Sequence, residues 1–439
     1  MYDAAVAGAA PGPLTTAALH TLPALPPRRV RILAIGKAAP AMCAAAADHL
    51  TSSRHTIAGG IFVGPESAPS PHPVIAALVG DHPVPGPRSF AAAARLGLEC
   101  EAARDDDLAV VLLSGGASSL IAAPIAGLSE DDLVRLFALL HRSGLDIHTM
   151  NAIRKRFTRW GAGRLAVALA PARMEVLIVS DVPGDVVADV ASGPCAPDPF
   201  TASDVLDRLR RGDLLGELPT AMRDYLEAVQ RGRGAETPKR DDPAFAHVAT
   251  RVIGSNRLAV DAAVARARAL GIAADTGAEP LTGDAARCGV MIAETLLARA
   301  DDGLSGCIVW GGETTVRLPL EERATATTRL DVAGGRCQEL ALAAARRLAH
   351  GGESARRVAI LAAGTDGRDG PTDAAGAFAD DTVWGAIARS GRDPERALVL
   401  HESYAALDGA GALLRVGLTG TNVMDVVIGV VESRPLHGR

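Results

Sequence analysis

Short runs of consecutive apolar residues, rich in Val and Ile, alternate along the chain with longer Ala-, Leu- and Arg-rich stretches whose apolar positions recur at helical spacing. The pattern predicts strands over Val30 to Ile35, Thr56 to Val63, Val74 to Val79, Leu108 to Leu113, Glu175 to Val179 and Val248 to Ile253. It predicts further strands over Gly306 to Trp310, Thr327 to Val332, Val358 to Ala363, Leu413 to Gly417 and Asp425 to Val431. Helices fit between them, among others at Ser89 to Arg104, Asn256 to Leu270, Ala285 to Arg299 and Gln338 to His350. The apolar runs are continuous, not alternating, as expected of strands buried on both faces of a mainly parallel sheet. The fold class is therefore α/β.

One stretch breaks the alternation. Arg231 to Asp242 is poor in apolar residues, dense in charge and carries a central Pro, which marks it as a linker. The expected domains are residues 1–240 and 241–439, and the chain has length enough to cross between them more than once. Apolar residues at 48% and charged residues at 22% place the chain among folded globular proteins. A net charge of −6 with interspersed signs, and only 3% aromatics, argues against nucleic-acid binding. No apolar run approaches the ~20 residues that span a bilayer. The N-terminus lacks a basic segment followed by an apolar run, so a secretory signal is not expected. Six cysteines without metal-finger or C-x-x-C spacing fit reduced thiols, and the expected location is the cytoplasm.

Among 45 basic residues only three are lysines, Lys37, Lys155 and Lys239. A composition that favours arginine so strongly should keep lysine where a compact ammonium is needed. Lys37 follows a predicted strand in Gly36-Lys37-Ala38-Ala39-Pro40, with Pro40 suited to the first turn of a helix. Loops of this kind, directly after strands, are where ligands gather in open α/β sheets. Ser114-Gly115-Gly116-Ala117-Ser118-Ser119 is another, and its glycines and the helix start it opens suit a phosphate or carboxylate as well as they suit an ordinary turn. It is not a Walker A loop. Ser180-Asp181-Val182-Pro183-Gly184-Asp185 places two carboxylates four residues apart, a spacing compatible with hydrated Mg²⁺ and equally with a simple turn.

The C-terminal half repeats the pattern. Gly311-Gly312-Glu313-Thr314-Thr315 follows a strand, Gly334-Gly335-Arg336 opens a helix, and Gly364-Thr365-Asp366-Gly367 follows the most apolar strand. An arginine at Arg336 offers a planar fork for an oxyanion. His82 and His148 read as structural turn histidines, and no Ser/His/Asp order supports triad hydrolysis.

Taken in order, these loops resemble those of the class II glycerate kinases, the glycerate 2-kinase family with a MOFRL C-terminal domain. The segments that carry the likeness are Gly36-Lys37-Ala38, Gly80-Asp81-His82-Pro83, Leu113-Ser114-Gly115-Gly116-Ala117-Ser118, Ser180 to Asp185, Ala191-Ser192-Gly193-Pro194, Glu236-Thr237-Pro238-Lys239, Ile253-Gly254-Ser255-Asn256, Gly311 to Val316, Gly334-Gly335-Arg336 and Gly364-Thr365-Asp366-Gly367. The resemblance implies a Rossmann-like three-layer N-terminal domain, a smaller MOFRL-type α/β domain and a cleft between them. It implies ATP-dependent phosphorylation of D-glycerate at the 2-hydroxyl, giving 2-phosphoglycerate and ADP, with ATP and Mg²⁺ as cofactors.

By position, Lys37 and Arg336 match the family's basic active-site residues. Residue chemistry adds Asp366 as the group that orients or deprotonates the glycerate hydroxyl. Asp181 and Asp185 become the Mg²⁺ ligands, and Ser114, Gly115, Gly116, Ser118, Ser119, Asn256, Gly312, Glu313 and Thr314 the substrate- and phosphate-binding residues. Relatives are also labelled hydroxypyruvate reductases, an NAD(P)H-dependent alternative for which no G-x-G-x-x-G follows a strand here. A kinase of a related short sugar acid is a second alternative, and a homo-oligomer is compatible with the sequence. The chain departs from the family pattern at Cys337 for Asn, Gly161-Ala162-Gly163 for Lys-Gly-Gly, Thr149 for Glu and Leu418 for Pro.

Overall fold

Each apolar run between Arg29 and Gly254 forms a strand of one sheet: β1 (Arg29–Ile35), β2 (Thr56–Gly64), β3 (Ile75–Val79), β4 (Leu108–Leu113), β5 (Arg173–Val179) and β6 (Val248–Gly254). In this computed structural model, which describes residues 1–21, 29–316 and 334–433, all six are parallel in the order β3-β2-β1-β4-β5-β6. β4 is buried along its whole length and β1 nearly so, which is why both read as unbroken apolar sequence. The order reverses between β1 and β4, so the crevice at their carboxyl ends is the topological switch point. Leu33, Ile35, Val111 and Leu113 pack there with the helix Pro87–Glu101 through Ala92, Ala93 and Leu96.

The remaining strands are β7 (Ala274–Thr276), β8 (Leu281–Asp284), β9 (Gly306–Thr315), β10 (Val358–Gly364), β11 (Gly376–Ala379), β12 (Leu413–Leu414) and β13 (Asp425–Val431). They form a second sheet in the order β12-β11-β10-β13-β9-β7, with β8 also paired to β9. This sheet is mixed. β10 runs antiparallel to both β11 and β13, and β13 antiparallel to β9, whereas β7 and β8 are parallel to β9. The expectation of a mainly parallel sheet thus holds for the first sheet only. A continuous apolar run reports burial of both faces, and a central antiparallel strand under helices satisfies that equally well. The helices Ala285–Asp301 and Arg336–Ala349 supply much of the cover, through Ile292, Leu296, Leu340 and Leu348. The short strands β7, β8 and β11 carry too few apolar residues to announce themselves, and the expected strand Thr327 to Val332 lies outside the described residues.

The chain divides into two units, Pro11–Gly254 and Met1–Ala10 with Ser255–Arg439. The boundary therefore falls after Gly254 and not in Arg231 to Asp242. The polar stretch is docked, not free: Lys239 Nζ donates to the carbonyls of Asp198 (3.1 Å) and Phe200 (2.5 Å), and Arg156 Nη1 meets Glu236 Oε2 at 2.5 Å. Glu236 and Lys239 thus meet the buried Arg156 and Asp198, whereas Arg231, Arg233 and Arg240 are exposed. The first ten residues join the second unit because the helix Tyr2–Gly8 lies on Asn256–Ala269, with Gly8 so close that a Cβ there would sit 2.3 Å from that of Ala262.

Candidate active site

In the unit Pro11–Gly254 the site is made by the loops that leave β1, β4 and β5. The first two are stitched together. Lys37 N–H donates to Gly115 O (2.9 Å), Ala38 N–H to Ser114 Oγ (3.0 Å) and Ser114 N–H to Ile35 O (3.0 Å). Gly36 has a φ of +127°, and a Cβ on it would sit 2.2 Å from Ser114 Oγ, so only glycine permits this approach. The buried Ser114 hydroxyl is thereby committed to joining the loops, and Ser119 Oγ likewise donates to Gly116 O (3.0 Å). Gly115 and Gly116 present the open backbone. The helix they lead into, Ala117–Leu120, is a single turn, so the expected helix-terminus contribution is small and the cradle rests on the loop itself.

Three side chains crowd this loop. A Cβ on Gly116 would lie 3.5 Å from Lys37 Cγ and 3.1 Å from His82 Cδ2; one on Gly115 would lie 1.8 Å from Asp181 Oδ2. Lys37, His82 and Asp181 are thus brought together across a surface only glycines can form. Burial, and then the positive charges of Lys37 and Arg154, hold the His82 imidazole down to about 4, so it is neutral at pH 7. His82 is no simple turn histidine. Asp185, with φ +53°, follows Gly184 on the same loop as Asp181, but nothing places its carboxylate against Gly115. Ser118 Oγ lies 2.6 Å from Ser192 Oγ, and Ala191 and Ser192 both hold left-handed backbone, φ +57° and +65°. Strain of this kind persists only where the surroundings enforce it.

Gly115→Ala is expected to push Asp181 off the loop, lowering kcat about tenfold or more through lost positioning. Steady-state rates together with chemical unfolding test this, the stability change expected being only about 1 kcal/mol.

In the second unit, Arg336 begins the helix Arg336–Ala349 and is held by two carboxylates. Its Nε and Nη2 reach Asp425 at 2.5 and 2.8 Å, and Nη2 reaches Glu313 Oε1 at 3.1 Å. Burial alone would lower its pKa, but the charge and hydrogen bonds of Asp425, with the charge of Glu313, drive it well above the ordinary arginine value. Asp425 opens β13, 89 residues further along the chain, and nothing in its sequence surroundings marks it. Asp366 stands nearby: a Cβ on Gly364 would lie 3.2 Å from Asp366 Oδ1 and 3.5 Å from Asp425 Oδ1. Tyr2, whose hydroxyl donates to Gly364 O (2.7 Å), is pushed up by burial and by the charge of Asp366.

Other predicted residues here support the backbone. Asn256 Nδ2 donates to Val423 O (2.7 Å) and Asp425 O (2.9 Å). Gly312, at φ +144°, lets β9 approach β8, since a Cβ would meet Leu281 O at 2.2 Å. Thr314 is buried within β9.

Cys337 is buried against Asp425 and Asp369, whose carboxylate accepts the Cys337 and Gln338 N–H groups (3.1 and 2.8 Å) and so caps the helix that carries Arg336. Burial, then the charge of Asp425, pushes the Asp369 carboxyl up to about 7. Its unfolded value is about 3.9, so between about pH 4 and pH 7 the folded chain holds a proton the unfolded chain has released. This group's stabilisation is therefore present at the acid end and lost as pH rises through about 7. Denaturant titrations at about pH 4.5 and pH 7.5 should show a smaller fall in stability for Asp369→Asn than for the parent chain; an unchanged pH dependence would refute the assignment.

Among the described residues no three His, Cys, Asp or Glu side chains converge as a metal-ligand cluster, and no helix is long and apolar enough to cross a membrane. Residues 1–227 match the model of the domain of unknown function DUF4147, and residues 306–425 match that of the MOFRL family. The Glycerate 2-kinase of Pyrococcus horikoshii is 35% identical over 92% of this chain and 88% of its own. The chain belongs to the DUF4147–MOFRL glycerate kinase family. The crystal structure of the glycerate kinase of Thermotoga maritima superposes on this family member with a TM-score of 0.81 at 32% identity, covering 98% of this chain and 97% of that one. A relative from Agrobacterium vitis named "Putative hydroxypyruvate reductase" is 34% identical over 97% of this chain and 92% of its own.

Proposed function

We propose that this glycerate kinase family member transfers the γ-phosphoryl group of ATP to the 2-hydroxyl of D-glycerate, giving 2-phosphoglycerate and ADP. The observation that carries the reading is the set Lys37, Gly115-Gly116 and Asp181 at the switch point of a parallel sheet, in a chain whose relatives are named glycerate kinases. Phosphoryl transfer needs positioning and concentrated positive charge more than covalent help. Lys37 supplies a compact ammonium beside backbone that glycine leaves open. Arg336, kept charged and oriented by Asp425 and Glu313, supplies a second cation with Nε and Nη2 already engaged. Asp366 is assigned to the substrate hydroxyl, whose proton it accepts as the new P–O bond forms.

Asp181 fits one carboxylate of a hydrated Mg²⁺ site completed by phosphate oxygens, because only a glycine at Gly115 leaves room for it. Mg²⁺ bound there would neutralise phosphate charge. Asp185 is the weaker ligand of the pair. A coupled assay that responds to 2- and not to 3-phosphoglycerate, with ATP, Mg²⁺ and D-glycerate, tests the reading. No 2-phosphoglycerate, or NADH consumed with hydroxypyruvate in the absence of ATP, would overturn it.

A further inference from the structure

Ala191, Ser192 and Gly193 hold three left-handed backbone positions in a row, at φ +57°, +65° and +58°, and only the glycine is at ease there. The turn is pinned by its own backbone. Ser192 N–H donates to Asp189 O (3.0 Å), Gly193 N–H donates to Val190 O (2.9 Å), and Ser192 O accepts the Ala162 N–H (2.9 Å). Its hydroxyl, Ser192 Oγ, lies 2.6 Å from Ser118 Oγ on the glycine loop 114–119.

One helix face grips the root of this turn. His148, Asn151 and Lys155 stand at i, i+3 and i+7 along the helix Ile147–Arg154 and the turn that continues it, so they share a face. All three reach Ala188 or Asp189. Lys155 Nζ donates to Ala188 O (3.2 Å), Asn151 Nδ2 donates to Asp189 O (3.3 Å), and His148 Nδ1 is hydrogen-bonded to Asp189 Oδ2. The Asp189 side chain is 1% exposed, and its Oδ1 has no hydrogen-bond partner. Lys155 Nζ stands 3.9 Å from that oxygen and closer, at 3.2 Å, to Asp198. A carboxylate only accepts, so the imidazole is the donor, and this is the one hydrogen bond the buried carboxylate makes among the described residues. The Phe200 ring packs edge-on against the imidazole, with centroids 5.5 Å apart. His148 is therefore no simple turn histidine: half its side chain is exposed, yet its Nδ1 is spent on a buried acid.

A buried carboxylate stripped of its hydrogen bond is costly and moves to find another partner. For Asp189 the nearest is the Lys155 ammonium, on its Oδ1 side. Turning to it would shift the residue whose carbonyl holds the Ser192 N–H. We propose that His148 is a positioning residue for the glycine loop: its bond to Asp189 fixes the left-handed turn 191–193, and Ser192 passes that fixed position to Ser118. This rests on the reading of the loop 114–119 as an anion cradle.

The test uses the full chain with His148→Leu, His148→Asn, Ser192→Ala and the double variant His148→Leu/Ser192→Ala. Each is assayed with ATP, Mg²⁺ and D-glycerate well below its unfolding temperature. His148→Leu is expected to lower kcat/KM about tenfold or more. His148→Asn, whose Nδ2 falls where the imidazole Nδ1 lay, is expected to recover most of the rate. Ser192→Ala should lose about as much as His148→Leu, and the double variant should fall within about twofold of the worse single one, because both cut the same connection. Parent-like kcat/KM in His148→Leu, no recovery in His148→Asn, or losses that multiply in the double variant would overturn the proposal. Should His148→Leu not fold, Ser192→Ala decides, and parent-like kcat/KM there overturns it. A parent chain that forms no 2-phosphoglycerate but is stabilised against heat by ATP or inorganic phosphate refutes the kinase reading alone. The variants are then ranked by their loss of that stabilisation, with the same order expected and a different order overturning the role of His148. A parent chain neither active nor stabilised refutes the cradle and the proposal with it.

Discussion

Lys37→Arg is expected to lower kcat for D-glycerate phosphorylation by about two to three orders of magnitude while leaving the fold intact. The reason is geometric. The Lys37 main chain is fixed by its N–H bond to Gly115 O (2.9 Å), and its side chain begins beside Gly116, against which His82 also packs. A guanidinium is broader than an ammonium and planar. It would have to displace the neutral His82 or lift from the glycine backbone, and either movement takes its charge away from the transferring phosphoryl group. Because Lys37 is partly exposed and belongs to no core cluster, circular dichroism and unfolding should be nearly unchanged. A near-normal kcat for the variant would remove Lys37 from the mechanism.

Asp425→Asn should lower kcat about ten- to a hundredfold with little change in the KM for ATP, and Asp425→Ala should also destabilise the chain by about 2 to 3 kcal/mol. Asp425 holds Nε and Nη2 of Arg336, lies against the Cys337 thiol and offers its carbonyl to Asn256. Asparagine keeps the shape and loses one acceptor and the charge, so the guanidinium swings toward Glu313, its remaining carboxylate. Alanine leaves a partly buried cation without its main partner. The loss is smaller than for a fully buried pair because the Arg336 side chain is 30% exposed. Recovery of rate in Asp425→Glu would support a positioning role; parent-like kcat in Asp425→Asn would exclude one.

Most of the candidate site in the unit Pro11–Gly254 was legible because its residues are local in sequence. Gly36-Lys37, Ser114 to Gly116 and Asp181 each end an apolar run, and the end of a buried parallel strand is where its loop must face the switch point. His82 stands three residues past the end of β3, but that it packs against Gly116 was decided by the fold. The scarcity of lysine marked Lys155, which is a buried structural cation paired with Asp198. Lys239 likewise proved to be an anchor, its ammonium shared by two carbonyls. The boundary moved for a related reason. Polar composition does not exclude docking, since Glu236 and Lys239 keep 35% and 30% of their side chains exposed and still hold Arg156 and the Asp198 carbonyl.

The sequence by itself determined where most of the longer strands lie, which loops hold chemistry and, through a chain of short motifs, the family. Burial of a strand and the need for glycine at a close approach are both imposed locally, so they leave local marks. Only the tertiary structure decided that the second sheet is mixed, that Asn256 and Ser114 spend their side chains on backbone and that Asp425 is the partner of Arg336. Each of these depends on which groups meet across tens or hundreds of residues, and the pairing of buried charges is a property of the assembled interior.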